Sequence, residues 1–258
     1  MSLLRVGHPR MRWSIFSLLA LVFPLAACTG ADVGADEKDM AAPLQGGGAP
    51  RNAAATVTGK VVDAIQRTAV VGATVMVEGI TAQTDSAGRF SFVVPTGIAA
   101  RPSITRVGYA QRLFETVSAT GDADLGTLPM LSLSIQAQLR SFLGDYDPSL
   151  GAVAVRVLPR GSCPTEAGAT VSVSPAGSSK IAYFRNGLPA RGSTDVQAGE
   201  ETSALVYNVA TAQPLALTVA RAGCSMATYP VTDHGVTRTG AIFASKGDSL
   251  TFATGFLE

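Results

Sequence analysis

The sequence predicts an all-β protein: two tandem β-sandwiches joined by a short helix and preceded by an export signal and a disordered tether. Three observations lead there. From Thr56 onward, short β-branched and aromatic runs are separated by Gly, Pro, Asp and Ser turn signals at about 8–12-residue spacing, the pattern of a sandwich. One run, Arg89-Phe90-Ser91-Phe92-Val93-Val94, alternates with period two, so Phe90, Phe92 and Val94 share a face that meets an opposing sheet. The order of short motifs in the first half also returns, weaker, in the second.

Composition narrows the function classes. The chain has 258 residues, 47% hydrophobic, with 15% charged residues against a usual share of about 25% and a net charge of +1. Only two histidines and one tryptophan occur, and His8 and Trp13 precede Cys28 in a segment read below as removed. His-rich metal sites and tryptophan sugar platforms are thereby excluded from the mature chain.

The first twelve residues carry Arg5, Arg10 and Arg12 and no acid, and an apolar run from Ile15 to Ala27 follows, broken only by Ser17 and Pro24. This is the pattern of a signal peptide over residues 1–27. The run is shorter than the roughly 20 residues that cross a bilayer, and Pro24 interrupts a helix. Leu25-Ala26-Ala27-Cys28 resembles the bacterial lipobox, which implies cleavage before Cys28 and acylation of its thiol and new amino group. Two or more acyl chains hold a protein at a membrane for practical purposes permanently, so the expected membrane partner is reached through the anchor on Cys28. Thr29, rather than Asp, after the cysteine implies by the same resemblance the outer membrane, on its periplasmic or outer surface. Cleavage leaves 17 basic against 19 acidic side chains, a charge of −2, which offers no nucleic-acid patch. Residues 28–55, with Gly46-Gly47-Gly48 between two prolines and no apolar period, read as a flexible linker.

Residues 56–133 form the first expected sandwich. Between its strands, Thr84-Asp85-Ser86-Ala87-Gly88 reads as a hairpin turn, with the Asp85 carboxylate accepting from nearby amides and Gly88 supplying a positive φ. The ordered motifs GKVVD, GATVMVEG, TDSAGRFSF, VPTG and RVGY resemble the carboxypeptidase regulatory-like domain, a transthyretin-like sandwich. The resemblance implies a fold and an accessory role, without peptidase activity: the zinc centre of the namesake enzymes needs paired histidines and a glutamate.

Residues 134–150 read as a short helix and linker, with Ile135, Leu139, Phe142 and Leu143 on one face, Ser134 as N-cap and Gly144 as the stop. Residues 151–258 read as a divergent second sandwich. Gly168-Ala169-Thr170-Val171 repeats Gly72-Ala73-Thr74-Val75, and Arg221-Ala222-Gly223-Cys224 echoes Arg106-Val107-Gly108-Tyr109. Its departures are a missing TDxxGxF, a long stretch from Tyr183 to Glu201 and extra strands at the end. An unrelated β-sandwich is the competing reading.

Cys163 and Cys224 are the cysteines left after Cys28, and an exported chain sits where disulfides persist, so they are expected to pair. Asp145-Tyr146-Asp147 starts like a calcium loop, but Leu150 and Arg156 stand where an EF-hand needs Gly and Glu; a linker turn is the better reading. Asp233-His234 lacks any nucleophile turn and reads as a turn between Val231 and Val236. The tyrosines 109, 146, 183, 207 and 229 are scattered, with Tyr207 placed in strand packing, and assign no sugar platform.

No catalytic residues, metal ligands or cofactor are expected. The expected function is a non-catalytic, membrane-anchored lipoprotein displaying β-sandwiches for structural or protein–protein roles in the cell envelope. The alternative is a carbohydrate- or peptide-binding accessory protein at the surface, so the expected partner is an envelope protein or a glycan.

Overall fold

A computed structural model describes residues 53–190, 192–211, 213–244 and 247–258. The signal segment, Cys28 and the linker up to residue 52 lie outside the described residues. Among the described residues the first half contributes β1 (Ala54–Asp63), β2 (Thr74–Val77), β3 (Ile80–Gln83), β4 (Arg89–Pro95), β5 (Ser103–Thr105), β6 (Gln111–Phe114), β7 (Val117–Ala119) and β8 (Ala123–Met130). Helix α1 (Leu133–Leu143) follows. The second half adds β9 (Gly151–Pro159), β10 (Thr170–Ser174), β11 (Lys180–Arg185), β12 (Leu188–Pro189), β13 (Ala204–Val209), β14 (Leu215–Ala220), β15 (Val231–Asp233), β16 (Val236–Arg238), β17 (Ala241–Ile242) and β18 (Ser249–Leu257).

Phe90, Phe92 and Val94 turn inward while Arg89, Ser91 and Val93 face water, as period two requires. They meet Val75, Ile104 and Leu128 in the first core, between the sheet β4-β1-β8 and the strands β6-β5-β2-β3. The turn before β4 is built locally. Asp85 Oδ1 accepts from the amides of Ala87 (2.9 Å) and Arg89 (2.8 Å). Gly88 has φ +76°, and a Cβ there would stand 2.4 Å from the Val61 carbonyl oxygen, so both conformation and space demand glycine. Strand β1 starts at Ala54, two residues before the sequence expectation. Ala54 and Ala55 pair with Pro95 and Val94, and Ala55 is buried.

The second core lies between β10-β14-β17 and the strands β11, β13, β9 and β18. The repeated motifs adopt the same local forms. Gly72 and Gly168 both have positive φ, Ala73 and Ala169 are both fully buried, and a strand begins at Thr74 and at Thr170. The Tyr109 amide donates to the Arg106 carbonyl, and the Cys224 amide to that of Arg221.

The sandwiches are united by more than the helix. The last strand, β18, runs parallel to β9 on one side and to β6 on the other, fusing both halves into a nine-stranded sheet ordered β12-β11-β13-β9-β18-β6-β5-β2-β3. Strand β18 is buried on both faces, as an interior parallel strand must be. Ala253 and Leu257 enter the second core, while Leu250 and Phe252 join a cluster on the sheet's other face, covered by Leu139 and Leu143 of α1. A Cβ on Gly255 would lie 2.3 Å from Val219 Cγ2, so this glycine permits close approach of the opposing sheet. The hairpin β15–β16, expected within the second sandwich, pairs with β7 and sends Val236 into the first core.

The helix N-cap is Ser132 rather than Ser134. Ser132 is extended, its side chain accepts from the Ile135 amide, and Gly144 closes the helix in a left-handed conformation. The shift of two residues arises because Leu133 already bonds through its amide to the Gly108 carbonyl, anchoring the chain to the first sandwich where the helix begins. Among the described residues no helix is long and apolar enough to cross a membrane.

Candidate ligand-binding site

The sequence-derived candidates fall mainly into structural positions. Cys163 and Cys224 are joined with their Cα atoms 5.5 Å apart, tying the loop before β10 to the turn after β14 beside the second core. Asp145 pairs with Lys180 and accepts from the Tyr207 hydroxyl, while Asp147 accepts from the amide and hydroxyl of Ser149. Among the described residues no cluster of three or more metal-ligating side chains occurs. Asp233, His234 and Gly235 form the β15–β16 turn, with His234 and Gly235 at φ +47° and +76° and the His234 side chain 80% exposed. Tyr183 and Tyr207 are buried, the Tyr183 hydroxyl accepting from the Val171 amide, so neither ring offers a stacking face.

A different set of side chains converges where the sandwiches meet. Arg112 is the one fully buried residue of β6, only 7% exposed. Strand β6 lies between β5 and β18, which places the Arg112 guanidinium against the Phe252 ring at 3.6 Å from its centroid and 4.9 Å from that of Phe114. Its Nη1 donates to the Pro129 carbonyl at 2.6 Å, and its Nε has no partner among the described residues. Burial lowers the Arg112 pKa to about 9, with the nearby Glu201 charge opposing the shift.

Three residues on, Glu115 is 3% exposed. Its Oε1 accepts from the Thr254 amide of β18 at 3.1 Å and from Arg238 Nε of β16 at 3.2 Å, while Oε2 is buried without a partner among the described residues. Burial raises the Glu115 pKa to about 7, although Arg238 and Thr254 both favour the ionised form. Arg238 keeps a buried Nη1 with no partner among the described residues. The Tyr229 hydroxyl donates to the Thr254 carbonyl, and burial together with the Glu115 charge raises its pKa.

Arg112, Glu115 and Arg238 line a cavity of about 130 Å³ that also takes in Arg156, Glu201 and Thr202. Behind it lies an apolar chamber of about 170 Å³ between the sheets of the first sandwich, walled by Val57, Val75, Phe92 and Ile98. Pro102, Phe114, Val117, Leu125, Leu128 and Val236 line both spaces. On its other side the polar cavity shares Pro129, Glu201, Thr202 and Phe252 with a groove of about 700 Å³ bordered by α1 and the β11–β12 hairpin.

No motif or local spacing in the sequence marks out Arg112, Glu115 or Arg238. One signal was available: in a strand through Gln111–Phe114, Arg112 shares a face with the core aromatic Phe114.

The Glu115 environment has a measurable consequence. Its folded pKa of about 7 exceeds the ordinary carboxylate value near 4.3, so the unfolded chain releases this proton first. The site's contribution to stability is complete below about pH 4 and is lost as pH rises through 7. Glu115→Gln, which mimics the protonated acid, should therefore gain on wild type by about 2 kcal/mol more at pH 8 than at pH 5. Paired denaturant titrations at the two pH values read this; a difference that stays flat with pH contradicts it.

No family model matches the chain, and no curated protein matches it. Among solved structures it is similar to a type II cohesin–X-dockerin complex of Acetivibrio cellulolyticus, with 31% identity over 30% of this chain and 56% of that one, TM-score 0.25. It is also similar to the Bacillus anthracis TIE protein (10% identity, 79% of this chain and 34% of that one, TM-score 0.25). A streptococcal ancillary pilin is a third (12% identity, 80% and 62%, TM-score 0.23). The chain thus spans between one third and two thirds of the length of these three.

Proposed function

We propose that this chain is a non-catalytic lipoprotein of a bacterial envelope, held by acyl chains on Cys28 at the outer membrane. Residues 29–52 then tether a double-sandwich body that acts by binding. The observation that carries the reading is the division of its three cysteines: Cys28 ends a lipobox, and Cys163 is bridged to Cys224. Bridges of this kind persist in oxidising compartments, the side of the membrane to which a lipobox delivers a chain. The motifs over residues 56–133 that resemble a carboxypeptidase regulatory-like domain fit an accessory role of the same sort. A body fused through β18 suits that role too, because it holds any site on it at a fixed geometry.

Cys28→Ala is expected to block both cleavage before residue 28 and acylation, leaving a precursor that keeps residues 1–27 and carries no acyl chains. Recovery of this variant in the membrane fraction with the mass of the wild-type lipoprotein, apart from the substitution, would refute the anchor.

A further inference from the structure

We propose that the polar cavity between the sandwiches binds a small amphipathic monocarboxylate, its carboxylate on the Arg112 and Arg238 guanidiniums and its apolar body of about four to eight carbons toward the first core. The inference goes beyond the anchoring reading and does not depend on it.

Charge comes first. Arg112, Arg156 and Arg238 line the cavity against two acids, Glu115 and Glu201. Glu115 is engaged by Arg238, and Glu201 is drawn outward by Arg67, 2.5 Å away. Arg67 does not line the cavity, so Arg112 and Arg156 are left without an acid partner among the described residues and the site favours an anionic ligand, while the open Glu115 Oε2 disfavours a second negative charge on it.

Hydrogen bonding comes second. Arg112 Nε and Arg238 Nη1 are buried donors with no hydrogen-bond partner among the described residues. Folded proteins seldom leave such donors empty, since each costs the desolvation it lost on burial. Carboxylate oxygens are the acceptors that guanidinium N–H groups fit best. The Arg112 guanidinium is already fixed by Phe252, Phe114 and the Pro129 carbonyl, so little order remains to be imposed when a ligand arrives.

Shape comes third. The polar cavity alone, about 130 Å³, accommodates a head group and a few carbons. The chamber sharing Phe114, Leu128 and Val236 with it adds about 170 Å³ of apolar space, similar to the roughly 150 Å³ engineered cavity that binds benzene. Entry runs from the inter-sandwich groove past Glu201 and Thr202.

The test is calorimetric titration of the full chain in a non-ionic detergent with hexanoate, hexanol, hexylamine and inorganic phosphate, each against detergent alone. Hexanoate should bind saturably with one site per chain, at least about tenfold more tightly than the other three. Arg112→Met should weaken hexanoate by about tenfold or more and leave hexanol unchanged. Val236→Phe, which fills the wall common to both spaces, should remove hexanoate binding while the protein stays folded by circular dichroism. If Arg112→Met does not fold, Val236→Phe and the four-ligand ranking decide. Absence of saturable hexanoate binding overturns the proposal, as does equal affinity for hexanol or phosphate, or full binding by Val236→Phe. The intact mass of Cys28→Ala reports separately on the anchor, so the two readings fail independently.

Discussion

Replacing both bridged cysteines, Cys163→Ala with Cys224→Ala, is expected to destabilise the body by about 4 kcal/mol. The bridge closes a loop with a sequence separation of 61, and a cross-link of that span removes chain entropy from the unfolded state worth about this much. For a body of this size the melting temperature should fall by roughly 10 °C in a calorimetric scan, and reductant added to wild type should reproduce the shift. The ends joined are a buried cysteine beside the second core and a turn held by Arg221, whose Nε donates to the Ala167 carbonyl at 2.8 Å. The loss therefore falls on the contacts of β10 and β14. A scan unchanged by reductant, with both thiols titratable in the native protein, contradicts this.

Phe256→Ala is the second large effect, at about 4 kcal/mol. Phe256 is 1% exposed and packs with Ala227, Val231, Leu158 and Tyr229, while the guanidiniums of Arg160 and Arg238 lie 5.0 and 5.7 Å from its ring centroid. Emptying that volume removes the transfer energy of the ring and leaves a cavity that the surrounding strands close only in part. Because β18 carries Phe256 and hydrogen-bonds to both β9 and β6, the damage should reach both sandwiches. One calorimetric transition shifted down as a whole is the expected result. Two transitions, one at the wild-type temperature, would show that the halves fold independently.

How much of this architecture was legible in the sequence depended on the range of each interaction. The inward face of β4, the Asp85–Gly88 turn and the paired glycine-alanine motifs are set by neighbours a few residues away, and period two or a required positive φ exposed them. The helix start at Ser132 was missed by two residues because its register depends on Gly108, remote in sequence. The position of β18 was not readable at all. Its strand character shows locally, but its insertion between β9 and β6 is decided by which edges remain free once both halves have collapsed. The cavity follows the same rule. Arg112, Glu115 and Arg238 come from β6, the segment after it, and β16, more than 120 residues away in the case of Arg238, and no local spacing marks them as a group. Charged residues on short strands read as solvent-facing until a second sandwich covers them.

The most direct test of the anchored-body account is the intact mass of the protein extracted from the envelope of a bacterium expressing the full chain. The account predicts a polypeptide that begins at Cys28, carries acyl chains there, and has Cys163 and Cys224 oxidised. A soluble polypeptide that retains Met1 and an unmodified Cys28 would contradict it.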